Sequence, residues 1–362
     1  MKKQYERSLK GVKQEMTFIT RDNLLVFLRS IIDSGKELYA PQLRAEKIFF
    51  LPVKDVSSVV FDYVQTVESP KELLFPKVER MLSYHYVDGK MNVTDCSRGQ
   101  KTADRVLFGS RPCDAIGLKT LAEFFRQDIP DTFVQRRQDS LTVVSMSCAG
   151  SDENCFCTSV GAGPGDSTGS DVLLTPVRDK RYLVECLTEK GKFLVESEKE
   201  LFDEGEEINK EEYLTKLLQT FSHKEIAGKL SGAFNNPIWD EASLRCLGCG
   251  ACAYVCPVCS CFDIQDEGNS RKGDRLRCWD SCGFALFTLH TSGHNPRPTQ
   301  STRWRQRVMH KFSYMPERYN LLGCVGCGRC SRACPADMNL KEELNALDHI
   351  LEEGRQRVEE RQ

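Results

Sequence analysis

Two segments of the sequence carry the same arrangement of thiols. Residues 246–257 read CLGCGACAYVCP and residues 324–335 read CVGCGRCSRACP. Both are C-x-x-C-x-x-C-x-x-x-C-P, a run that ligates [4Fe-4S] clusters, with the fourth cysteine of each run reaching the cluster of the other. Three thiolates two residues apart on a tight loop can wrap three irons of a cubane. Gly248, Gly250, Gly326 and Gly328 let the backbone come close and aim N–H groups at the sulfurs, and the prolines turn the chain away after the fourth ligand. The spacing predicts one cluster on Cys246, Cys249, Cys252 and Cys334, and another on Cys324, Cys327, Cys330 and Cys256. Structural zinc also uses C-x-x-C pairs, but with four ligands per ion taken from two separated pairs, whereas each run here offers three close cysteines and a Cys-Pro.

The chain has 18 cysteines, twelve of them between Cys246 and Cys334; eight lie in the two runs and ten stand outside them. Cys113 follows the strand-like RVLFG, and Cys148, Cys155 and Cys157 follow the strand-like LTVVSM, both just past strand C-termini, where α/β folds place ligands. A C-x-C pair is too tight for packing needs alone, so these four thiols are read as ligands of a third [4Fe-4S] cluster rather than unligated core thiols. Residues 257–323, between the two runs, carry Cys259, Cys261, Cys278 and Cys282. Together these four allow a further metal centre; against it, Cys259 and Cys261 lie close enough to Cys256 to be thiols packed beside the clusters or small buried hydrophobes. Cys96 and Cys186 receive no role. The stretch 294–312, HNPRPTQSTRWRQRVMHKF, is locally basic. It has three readings: a helix face near anionic clusters that raises their potential, a solvated helix, or a nucleic-acid patch, the last disfavoured by the acidic remainder. GAGPGDSTGS, residues 161–170, lacks the order of a dinucleotide or P-loop fingerprint and reads as a flexible connector.

Elements to position these thiols are legible around them. Residues 21–32 have an apolar helical face, and 47–53, 105–109, 141–146, 171–177 and 182–187 read as strands, giving an α/β first half. The charged stretch 199–229 has helical spacing and reads as a helical connector; residues 341–361 read as a solvated helix packing the stripe Leu344, Leu347, Ile350 and Leu351 on its own domain. The fold class expected is α+β: an α/β domain over residues 1–235, a bacterial ferredoxin-like two-cluster domain over 236–345 with the insert 257–323, and a helical tail over 346–362. Length 362 fits two or three domains, and 50 Lys plus Arg against 52 Asp plus Glu offers no global attraction for nucleic acid. No apolar run suits a signal peptide or membrane span, so a cytoplasmic protein without membrane insertion is expected, in which thiols stay reduced unless a metal takes them.

The combination RPCDAIGLKTL, CAGSDENCFC, CLGCGACAYVCPVCSCFDIQDE, RCWDSCGFALF, SGHNPRPT and GCVGCGRCSRACP resembles the iron–sulfur beta subunit of cytoplasmic sulfhydrogenases, over about residues 21–344. It is similarly close to the iron–sulfur component of anaerobic sulfite reductases and to related components of heterodisulfide-reductase-linked flavin oxidoreductases. Cys278 departs from that family pattern. The resemblance implies a non-catalytic electron-transfer subunit. Its partners would be a flavoprotein that binds FAD and NAD(P) and a terminal hydrogenase, sulfite reductase or heterodisulfide reductase. The alternative is that the chain itself reduces sulfur, polysulfide or a disulfide at a cysteine-ligated metal site. No nucleophile–base pair or paired carboxylates appear in the sequence, so no catalytic residue is assigned.

Overall fold

Two apolar runs, RVLFGS and LTVVSM, become the buried centre of a sheet. The computed structural model describes residues 16–98, 102–230 and 232–359. In chain order the strands of the first half are β1 (Met16–Thr20), β2 (Glu37–Arg44), β3 (Lys47–Pro52), β4 (Val78–Val87), β5 (Lys90–Asp95), β6 (Arg105–Ser110), β7 (Leu141–Met146), β8 (Val172–Pro176), β9 (Arg181–Cys186) and β10 (Phe202–Gly205). Eight of them form one sheet in the order β10-β1-β9-β8-β7-β6-β2-β3, in which β2, β6, β7 and β8 are parallel neighbours and the flanking pairs antiparallel.

Alternation along the central strands sends side chains to two cores, as a sheet covered on both faces requires. Val106, Phe108, Val144 and Met146 face helix α1 (Arg21–Asp33) through Leu24, Phe27, Leu28 and Ile31. Leu107 and Val143 face helix α2 (Pro112–Phe124) through Ala115, Leu118 and Ala122, beside helix α3 (Thr132–Asp139). Helix α1 begins where the Thr20 hydroxyl accepts from the Asn23 amide at 3.2 Å. Helix α2 starts on Pro112, directly after β6, with the Asp114 carboxylate accepting from the Arg111 amide at 3.1 Å. That places Cys113 at a strand-to-helix turn. Strand β3, read from the run KIFFLPV as a buried strand, is only half-buried, since it closes one edge of the sheet.

The stretch 199–229 is not the expected helical connector. After helix α4 (Glu189–Glu196) it adds β10 to β1, runs on through irregular chain with a 3-10 turn at Lys210–Tyr213, and becomes α-helical only at α5 (His223–Leu230). Its charges follow a helical period, but Phe202 and Gly205 fall on the free edge of β1 and satisfy that ladder instead.

In the second half come α6 (Ile238–Ser243), α7 (Ala251–Tyr254), strands β11 (Phe262–Gly268) and β12 (Lys272–Trp279), then α8 (Gln300–Met309), a π-helical turn His310–Tyr314, α9 (Met315–Tyr319), α10 (Arg329–Arg332) and α11 (Leu340–Glu359). The hairpin β11-β12 does not stand apart as an insert: β12 pairs antiparallel with β4, making a second, four-stranded sheet β11-β12-β4-β5 with the first half. Buried Arg277 on β12 bridges Glu79 on β4 and Asp131 at the start of α3, and Arg137 also pairs with Glu79, so the attachment is by paired charges as well as backbone. Trp239, Trp304, Val308, Phe312, Leu344 and Leu347 form the core that joins α6, α8 and α11. Leu344 and Leu347 are thus the buried stripe expected of the last helix, while Ile350 is exposed. No helix of the described residues is long and apolar enough to cross a membrane.

Candidate metal centres

Cys246, Cys249, Cys252 and Cys334 line one cavity, so the first three cysteines of the first run meet the fourth of the second. Gly248 and Gly250, at φ +66° and +74°, make the tight turns that bring the thiols inward. Helix α8 closes the cavity: Gln300 donates its amide N–H to Cys246 Sγ at 2.9 Å, and Arg303, Trp304 and Arg307 line the wall. Cys249 is exposed, and Leu247 beside it is 71% exposed. Cys330 of the second run also lines this cavity.

The second run is interior. Cys327 and Cys256 pack with Val258, Val325 and Cys113 in one buried group. The Gly326 amide points at Cys324 Sγ, 3.5 Å away, the N–H to sulfur geometry expected of these glycines. Lys311 donates to Cys256 Sγ at 3.4 Å and to the Gly323 carbonyl at 2.7 Å. Burial pushes the Cys324 and Cys252 thiols each up to about 12. Such thiols hold their protons at neutral pH and give them up to a metal.

Cys113, Cys148, Cys155 and Cys157, past the ends of β6 and β7, line a second cavity, and Gly326 and Cys327 of the second run form part of its wall. Burial pushes Cys148 up to about 11 and Cys157 up to about 12. The stretch 161–170 is packed in place here rather than free. Pro164 lines the cavity and its carbonyl accepts from the Cys148 amide at 2.8 Å, and any Cβ at Gly169 would run into the Ala115 carbonyl. The stretch 199–229 supplies another wall, with the Thr215 amide donating to the Cys148 carbonyl at 2.8 Å.

The second run is clamped to this first-half loop. Phe156 donates its amide to the Gly326 carbonyl at 2.9 Å, and a Cβ on Gly326 would lie 2.5 Å from the Cys157 nitrogen. Arg329, fully buried, pairs with equally buried Asp114 at 2.6 Å and donates to the Thr66 carbonyl at 3.0 Å. The sequence offered no sign of this Arg–Asp clamp, because its two halves lie in separate motifs.

Cys259, Cys261 and Cys282 line a third cavity with Arg307, His310 and Lys311; Cys278, on β12 opposite Asp263, does not. Cys96 and Cys186 border none of these three. The thiols edge their cavities rather than meeting at a point: among the described residues no three Cys, His, Asp or Glu side chains gather closely enough to hold one metal ion.

The basic stretch of α8 turns its charge inward. Arg307 donates to Cys259 Sγ at 3.6 Å and to the Cys252 carbonyl at 3.2 Å, and Lys71 donates to the carbonyls of Ala253 and Cys259, both at 3.0 Å. Arg307, Lys311 and Lys71 are buried, and among the described residues none has a carboxylate within ion-pair distance. Unpaired buried cations are costly unless an anion faces them, and thiolate-bound iron–sulfur clusters are anionic. This surplus of positive charge against rings of thiols fits the group that the cysteine spacing calls for.

Residues 245–338 match the 4Fe-4S dicluster domain family. The chain is 32% identical over 334 residues to sulfhydrogenase 2 subunit beta of Pyrococcus furiosus, an alignment covering 90% of this chain and 95% of that protein. No solved structure matches.

Proposed function

As a member of the sulfhydrogenase beta-subunit family, this chain is an iron–sulfur electron-transfer subunit, and we propose that it relays electrons through three consecutive [4Fe-4S] sites between a flavoprotein and a terminal reductase or hydrogenase. Bound clusters would supply one-electron redox chemistry with little motion of their surroundings. The ligands are Cys246, Cys249, Cys252 and Cys334 for the first, Cys324, Cys327, Cys330 and Cys256 for the second, and Cys113, Cys148, Cys155 and Cys157 for the third.

The observation that carries the reading is shared walls. Cys330 of the second run borders the first-run cavity, and Cys327 borders the first-half cavity, so the second run stands between the other two. Gln300 and the Gly326 amide orient thiols, Arg307 and Lys311 hold positive charge against them, and α8 with Trp304 keeps water from the inner face of the first-run cavity. Exposed Cys249 and Leu247 mark the face where a partner would approach the first site.

The partners in this reading are a flavoprotein that binds FAD and NAD(P), together with a hydrogenase, sulfite reductase or heterodisulfide reductase, in the cytoplasm. The chain purified anaerobically and reduced with dithionite is expected to show EPR signals of reduced [4Fe-4S] clusters and no polysulfide turnover with an artificial donor. Absence of EPR-active clusters, or sustained turnover by the isolated chain, would contradict it.

A further inference from the structure

Cys259, Cys261 and Cys282 line a cavity that the relay leaves unused. We propose that Cys259, Cys261 and Cys282, with His310 as the fourth ligand, hold an additional [4Fe-4S] cluster lodged against the two ferredoxin-type sites.

The hairpin β11-β12 is what assembles the trio. Cys261 precedes β11 and Cys282 follows β12, and closure of the hairpin base, with the Asp280 amide donating to the Cys261 carbonyl at 3.0 Å, returns the chain so that both thiols face one cavity. Cys259 enters the same cavity from the segment that leaves the first run through Cys256 and Pro257. The fourth side is made by the only π-helical turn among the described residues, which begins at His310 where α8 gives way. Such turns widen a helix by one residue and occur frequently at functional sites. Here the turn includes both His310 and Lys311, and both border the cavity with the thiols.

Charge argues in the same direction. Arg307 borders both this cavity and the first-run cavity, while Lys311 borders this cavity and also contacts Cys256 of the second site. Neither has a carboxylate partner among the described residues. The two ferredoxin-type sites meet these cations on one side only, and a thiolate-ligated cluster in this cavity supplies an anion on the other, where three protonated thiols would leave neutral groups. The three thiols edge the cavity without converging on a single point, as the ferredoxin-type ligands do around theirs. That arrangement suits a multinuclear cluster rather than one zinc ion.

The test is cluster counting by native mass spectrometry on the anaerobically reconstituted full chain. The variant Cys261→Ser/Cys282→Ser is expected to lose one cluster, about four irons per chain, while retaining the EPR signals of the two ferredoxin-type clusters. An unchanged count in that variant, or a bound zinc ion in the wild type in place of that cluster, overturns the proposal. Should that variant fail to fold, Cys148→Ser/Cys157→Ser gives an independent answer. It removes only the proposed first-half ligands, so three clusters are expected to remain, and a remainder of two overturns the insert site while leaving the relay reading intact. A nitrogen coupling in pulsed EPR of the reduced wild type that is lost in His310→Ala is expected; its persistence overturns ligation by the imidazole.

Discussion

The two cysteine runs are nearly the same in sequence and opposite in setting. The first lies near the surface, with Cys249 and Leu247 exposed and its glycines facing side chains of the insert. The second is pressed into the first half of the chain, its glycines against backbone and its Arg329 buried on Asp114. The comparison teaches that ligand spacing fixes which thiols form a site, while the surroundings decide whether that site meets a partner or lies between other sites. Each of the following substitutions should therefore act differently at the two runs.

The largest effect is expected from Arg329→Met, which strands the Asp114 carboxylate in the interior. Loss of one partner of a buried pair costs about 3–5 kcal/mol. Denaturant unfolding of the cluster-loaded protein measures it, and the exposed counterpart substitution Leu247→Ala should stay within about 0.5 kcal/mol. Equal effects would erase the distinction between the runs.

The matched pair Gly326→Ala and Gly248→Ala comes next. Both glycines have positive φ, so both variants carry backbone strain of about 1–3 kcal/mol. At Gly248 the nearest atom to a new Cβ is Gln300 Oε1 at 3.0 Å, the end of a side chain, whereas at Gly326 it is the Cys157 backbone. Gly326→Ala is expected to be the more destabilising and to lower iron content in the first-half site as well as its own.

A smaller, electrostatic contrast comes from Lys311→Met. The cation lies 3.4 Å from Cys256 Sγ and favours the more negative, reduced state of that site, so its removal should lower the second site's reduction potential. At an effective dielectric of about 20 and a charge separation of about 7 Å the shift is on the order of 100 mV. Redox titration followed by EPR should show the first site moving less. Least of all, Leu247→Ser is expected to leave cluster content and potentials unchanged and to weaken only electron exchange with the partner proposed to dock at that face, read as a raised KM.

Much of the site was legible because ligand spacing is local. The two C-x-x-C-x-x-C-x-x-x-C-P runs, the meeting of Cys334 with the first run, and the placement of Cys113 and Cys148 past strand ends all follow from short segments. Strands β6 and β7 were equally plain, as unbroken apolar runs. What escaped were pairings between distant segments. The Arg329–Asp114 clamp joins two motifs, and β12 joins β4 across most of the chain. The β4-β5 hairpin had a usable signal in Asp88-Gly89, whose positive φ angles make its tight turn. In residues 199–229 the charge period imitated a helix because only four residues, 202–205, join the sheet edge there.

The central claim is that the second run stands between two other cluster sites, and spin coupling tests it most directly. The fully reduced, anaerobically purified chain is expected to give an EPR spectrum broadened by interaction among neighbouring reduced clusters, and Cys148→Ser/Cys157→Ser should simplify it by removing one neighbour of the second site. A wild-type spectrum that is a plain sum of isolated [4Fe-4S] signals, unchanged in shape in that variant, would contradict the account.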